Sequence, residues 1–137
     1  MPTLKNILDA LSNPDVNMVG IYGTGGIGKT MLAKEIAQHA DDKKLFNVVA
    51  FAEVAVKPDI KEIPKEIADK LGLTFTSEES VAGRARRLQQ RLKQEEKVLL
   101  VLDNIWERLN LEDVGIPFGD DHKGCKLLLT ARNSDVL

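Results

Sequence analysis

The sequence is poor in sulfur, imidazole and rings. Cys125 is the only cysteine among 137 residues, so no disulfide can close within the chain. His39 and His122 are the only histidines, and nothing clusters with the spacing of a zinc site. Aromatic residues make up 4%, and Trp106 has no second ring near it in sequence, so it reads as a packing anchor and not as a base-stacking platform. Charge of one sign is also missing. Nineteen Lys and Arg face 21 Asp and Glu, for a net charge of -2, which gives the chain as a whole no pull toward nucleic acid or an anionic membrane. No apolar run approaches the length of a membrane span. The N-terminal stretch MPTLKNILDALSNPD lacks the apolar core and cleavage site of a signal peptide. Internal repeats and low-complexity tracts are absent. These absences predict a reduced, cytoplasmic setting. With 43% hydrophobic and 29% charged residues, the chain has the composition and length of one globular domain with a real core.

What is present is an alternation of apolar strands and one-faced helices. NMVGIYG (17–23) is a short apolar run closed by glycine, hence a buried strand. From Lys29 the pattern turns helical: Leu32 and Ile36 share a face beside a stripe of Ala33, Ala37 and Ala40. FNVVAFAEVAV (46–56) is a second strand. Ile60, Ile63, Ile67 and Leu71 step at helical spacing, with Pro64 in the first turn and Gly72 as the stop. Thr76 and Glu79 have the spacing of a capping box. Val81, Ala85, Leu88 and Leu92 then form one face of a helix whose other side carries Arg84, Arg86, Arg87, Arg91 and Lys93. VLLVLD (98–103) and CKLLLTAR (125–132) read as strands buried on both faces, separated in part by the loop GIPFGDDHKG (115–124). The alternation predicts a single α/β domain over 1–137, a mostly parallel sheet with helices on both faces.

One segment carries chemistry outright. GTGGIGKT (23–30) matches G-x-x-x-x-G-K-[ST], with a strand before it and a helix after it. Glycines at 23, 25, 26 and 28 let successive N–H groups turn inward as an anion nest, and the helix start adds its positive dipole end. The candidate phosphate-binding residues are therefore Gly23, Gly25, Gly26, Ile27, Gly28, Lys29, Thr30 and Met31. The Lys29 ammonium can reach terminal phosphates, and the Thr30 hydroxyl is a hard oxygen ligand for Mg²⁺. Asp103, at the end of a buried strand downstream, is the natural second ligand, directly or through water. Taken alone, it could equally be a carboxylate that caps a helix. Thr130 and Arg132 end the last strand on the side where open α/β sheets bind ligands. Arg132 could sense a γ-phosphate there or simply end a strand in solvent.

GIYGTGGIGKT, VLLVLDNIW and GCKLLLTARNSDVL together resemble the nucleotide-binding (NB-ARC) domain of plant coiled-coil, leucine-rich-repeat immune receptors, over roughly residues 3–137. FNVVAFAEVAVKPDIKEIPKEIADKLGL is similar to that family's segment after the first helix. The resemblance implies a P-loop NTPase fold with sheet order 2-3-4-1, and a switch held closed by ADP and opened by exchange for ATP. It implies Mg²⁺ at Thr30 and Asp103 and a γ-phosphate sensor at Arg132. It also implies a partial domain: the fifth strand, the helical ARC segments, the coiled coil and the leucine-rich repeats have no counterpart in these 137 residues, which reads as a truncated product or gene fragment.

Three functions compete on this sequence. The first is a nucleotide-binding switch module of the immune-receptor kind that holds ATP or ADP with Mg²⁺, with other immune-receptor chains as a candidate partner. The second is an NTPase or kinase that turns substrate over, although no glutamate follows Asp103. Asn104 stands where many members of the resembled family carry a second aspartate, and an amide cannot take a proton from water as a carboxylate does. The third is an interaction protein that no longer switches, its sheet edge at 18–22 open to pairing. Nucleic acid is not an expected partner: the Arg84–Lys93 cluster has no interleaved aromatics, and Glu95 and Glu96 follow it. DHKG (121–124) has the form D-x-x-G, but no N-K-x-D guanine-reading motif occurs, so adenine is favoured, mainly by the resemblance. Cys125 reads as a small core residue.

Overall fold

Strands that are apolar along their whole length need cover on both faces, and the chain provides it. A computed structural model describes residues 4–22, 26–54, 67–73, 80–105, 116 and 124–131. The strands β1 (Met18–Tyr22), β2 (Val48–Glu53), β3 (Val98–Ile105) and β4 (Cys125–Ala131) form one sheet in the order β1-β4-β3-β2, every pair parallel. Read from the other edge this is the expected 2-3-4-1, with the Asp103 strand separated from the phosphate-loop strand by β4. All seven residues of β4 are buried, as are seven of the eight in β3.

Parallel strands need long crossovers, and among the described residues helices lie on those from β1 to β2 and from β2 to β3. α1 (Leu4–Ser12) and α2 (Gly26–Asp42) cover one face, where Ile7, Leu11, Ala33, Ile36 and Ala40 pack on Val49, Leu99, Val101 and Leu128. α3 (Val81–Lys93) and a helical segment at 67–70 cover the other, with Ile67, Leu88 and Leu92 against Ala52, Leu100, Leu102, Leu127 and Leu129. Alternate residues of each strand serve opposite faces, as a pleated strand requires. The alanine stripe behaves as its spacing predicts: Ala33 and Ala40 are fully buried, so α2 lies close on the sheet.

Several boundaries differ from the sequence reading. α1 was assigned no element, although Leu4, Ile7, Leu8 and Leu11 recur at i, i+3, i+4 and i+7. α2 opens at Gly26, three residues before Lys29, because the phosphate loop runs into the helix. The cap of α3 is Ser80 and not Thr76: its extended backbone sets Oγ to accept from the Gly83 N–H at 3.0 Å. Thr76 and Glu79 themselves lie outside the described residues, as do Ile60, Ile63, Pro64, Trp106, His122 and, apart from Ile116 and Gly124, the 115–124 loop. β3 runs two residues past Asp103. Gly72 does stop its helix: at φ +73°, with Gly72 N–H to Asp69 O and Leu73 N–H to Ala68 O, it closes a Schellman turn.

Candidate functional site

Four parallel strands put all their C-terminal ends at one edge of the sheet. There Tyr22 pairs with Ala131, Ile105 with Ala131 on its other side, and Glu53 with Asp103. α2 begins at Gly26, only four residues after β1 ends, so the N–H-bearing start of a 17-residue helix sits at the same edge. Gly26 and Ile27 lie in its first turn. Gly28 is exposed, Met31 is exposed, Thr30 is half-buried and Lys29 is buried. Gly23, Gly25 and Arg132 lie outside the described residues.

The strand order brings Thr30 and Asp103, 73 positions apart, into contact. Thr30 Oγ1 donates to Asp103 Oδ2 at 2.9 Å, and Asp103 is buried. Two oxygens at adjacent corners of a Mg²⁺ octahedron, each about 2.1 Å from the metal, lie about 2.9 Å apart. A hydroxyl and a carboxylate side by side are hard oxygen donors of the kind that would suit Mg²⁺. Among the described residues no three His, Cys, Asp or Glu side chains gather as a metal site.

Two further residues stand at this edge, Thr130 and Glu53. Thr130 is buried and donates from Oγ1 to Asp103 Oδ1 at 2.6 Å. Thr130 Oγ1 in turn accepts the Asn104 N–H at 2.8 Å. Glu53 was passed over inside a valine-rich strand. As the register partner of Asp103 it stands on the same sheet face, exposed, one strand away. Thr130 is legible in the sequence as a hydroxyl closing an otherwise apolar strand on the ligand side, but its partner Asp103 is not. Glu53 had no such signal, because its neighbour is set by register.

The opposite end of the strands is built differently. A cleft of about 670 Å³ opens there, lined by Leu8, Leu11, Pro14, Leu45 and Phe46 with Lys126 at its wall. The Lys126 ammonium is taken up by the carbonyls of Asn13 and Val16, tying the α1–β1 turn to β4. Burial pushes the Lys126 pKa below its usual value, opposed by nearby Asp15. The cleft is lined mainly by apolar side chains. The arrangement at the strands' C-terminal ends is the one with chemistry.

Comparison with known proteins agrees with this geometry. A family model described as the NB-ARC domain matches residues 2–137. Disease resistance proteins At4g27190, SUMM2 and RPS5 of Arabidopsis thaliana are each 35% identical, over 136, 135 and 141 residues. Each alignment covers 97% of this chain, but only 14% of the first relative and 15% of the other two. The ORC2 protein of Aeropyrum pernix, solved as ADPNP–ADP complexes, superposes with a TM-score of 0.56 at 23% identity, over 97% of this chain and 39% of that one. This likeness shows the P-loop NTPase-like fold alone. By sequence over nearly its whole length, and by a fold that agrees, the chain belongs to the NB-ARC domain family.

Proposed function

We propose that the chain holds ATP or ADP with Mg²⁺, as a nucleotide-binding switch module of the plant immune-receptor kind. The observation that carries this reading is the 2.9 Å contact between Thr30 and Asp103 at the mouth of the helix that follows the glycine loop. Backbone N–H groups from Gly23 to Met31 would cradle the phosphates, and the Lys29 ammonium would neutralise the terminal ones. Thr30 and Asp103 would hold Mg²⁺, and Arg132 would read the γ-phosphate. The relatives' printed role in disease resistance supports a part in plant defence, and the proposal adds a cytoplasmic setting and other receptor chains as partners. Among the described residues no helix is long and apolar enough to cross a membrane.

Isothermal calorimetry with Mg²⁺–ADP and Mg²⁺–ATP tests the reading. Lys29→Ala is expected to abolish binding, and equal affinity of the two proteins would refute it. Mass spectrometry of nucleotide that co-purifies with the chain identifies the resident ligand, and ADP supports the switch.

Hydrolysis is slow in this reading, because Asn104 offers an amide where a general base would stand. Glu53 motivates a second reading, in which the chain turns ATP over. Its carboxylate stands beside Asp103 on the ligand-side edge, where it could take the proton of an attacking water. Phosphate release that falls at least tenfold in Glu53→Gln, at unchanged ATP affinity, would favour turnover over holding.

A further inference from the structure

We infer that Thr130 is a positioning residue for Asp103, and that the left-handed backbone of Asn104 sets it in place. The inference rests on the reading of the site as a Mg²⁺–nucleotide holder. Between Leu102 and Ile105, β3 advances three residues while β4 advances two, from Leu129 to Ala131. The extra residue makes a bulge. Within it Asn104 has φ +66°, in a region open to Asn, Asp and Gly but strained for other residues. The bulge aims the Asn104 N–H at Thr130 Oγ1, 2.8 Å away.

That contact decides where the hydroxyl proton goes. A threonine hydroxyl has one proton to give and two lone pairs. With a lone pair occupied by the Asn104 N–H, the proton points at Asp103 Oδ1, at 2.6 Å, the length of a charge-assisted bond. Oδ1 is thereby held from below, and Oδ2 is left facing Thr30. The two carboxylate oxygens have separate tasks: one fixes the plane of the group and the other is presented to the cation. With Oδ1 held by Thr130 and Oδ2 accepting from Thr30, rotation of the carboxylate would break a bond at each oxygen, so its cation-facing oxygen is in place before the ligand arrives. Asn104 thus acts through its backbone. Its side-chain amide is not what the lock uses.

In the free wild-type chain, hydrogen exchange by NMR is expected to show a slow Asn104 amide and a slow Thr130 hydroxyl proton. Fast exchange at both overturns the lock, whatever any variant does. Calorimetry with ADP, in Mg²⁺ and in EDTA, tests its purpose. Thr130→Val is isosteric and lacks the hydroxyl. It is expected to weaken Mg²⁺-dependent binding about tenfold, to leave binding in EDTA unchanged, and to be rescued by Thr130→Ser. Equal loss in Mg²⁺ and EDTA means a merely structural role and overturns the inference, as does equal affinity of Val variant and wild type in Mg²⁺. If the wild type binds no nucleotide in either buffer, the nucleotide reading itself fails and takes the purpose of the lock with it. Failure of Thr130 alone leaves wild-type binding intact, so the two failures are distinguishable.

Discussion

Asn104 and Asp103 are neighbours with different kinds of constraint. Asp103 is constrained by what its oxygens touch, Asn104 by its backbone. Replacing Asn104 with Val puts a β-branched residue at positive φ and is expected to cost about 1–2 kcal/mol in denaturant titration. Asn104→Asp tolerates the same backbone and is expected to leave stability nearly unchanged. If it also speeds phosphate release at unchanged affinity, the amide is what keeps hydrolysis slow; unchanged release would remove that role from Asn104. Cys125 shows a different constraint. Burial pushes its thiol up to about 12 from an ordinary 9.0. The folded chain therefore holds this proton longer than the unfolded one, and the associated stability is fully present below pH 9.0 and lost as pH rises toward about 12. Lys126 beside it has a lowered pKa, so its contribution has the opposite sign: present above the ordinary lysine value of 10.5 and lost as pH falls. The native thiol is expected to resist a disulfide reagent at pH 8 and to react fully in denaturant. Fast reaction of the native protein would contradict its burial.

At the scale of elements, two helices end the same way with different residues. Gly72 and Lys44 both occupy the left-handed position of a Schellman turn, at φ +73° and +53°. Lys44 N–H donates to Asp41 O and Leu45 N–H to Ala40 O, the bonds that mark the end of α2. Glycine fits this position at no steric cost, and lysine does not. Lys44→Gly is expected to stabilise the chain by about 0.5–1 kcal/mol, and Gly72→Ala to destabilise it by about 1 kcal/mol. A Cβ at Gly72 would meet nothing within 4 Å, so the second cost is purely one of backbone. Thermal melts read both, at roughly 4 °C per kcal/mol. The basic face of α3 is ordinary by comparison: Arg91 pairs with Glu95 at 2.8 Å, a half-exposed i,i+4 contact of about 0.3–0.5 kcal/mol. Arg86 and Lys93 on this face are exposed, and Arg84, Arg87 and Arg91 are half-buried.

For the whole molecule, the helix start, Lys29, Thr30 and Asp103 come from segments that only the folded sheet unites. Nucleotide binding is thus linked to folding. At a ligand concentration of 100 times Kd, ADP with Mg²⁺ is expected to add about 2.7 kcal/mol of stability, or roughly 10 °C in Tm. The shift should vanish in Lys29→Ala. A Lys29→Ala chain that melts as wild type without nucleotide and shifts equally with it would place binding elsewhere, the apolar cleft at the other end of the strands being the obvious alternative.

The sequence by itself determined the four strands and the helices that follow β1 and precede β3, and it marked the glycine motif. Each of these is written in local terms: a continuous apolar run, a helical period, glycines before a lysine and a hydroxyl. The class of fold followed, and the resemblance implied the strand order that the register now displays. The helix α1, the start of α2 at Gly26 and the Ser80 cap of α3 are what the folded chain adds to that reading. Tertiary structure alone decided which side chains meet. Thr30 reaches Asp103 across 73 residues, Thr130 reaches it across 27, and Glu53 stands beside it because β2 and β3 pair in one register and no other. The sequence showed Asn104 as an amide where an acid could have been. Only the bulge, one residue gained by β3 on β4, made its backbone the part that matters, because a positive φ and the aim of an N–H belong to the paired strands and are written in neither strand alone.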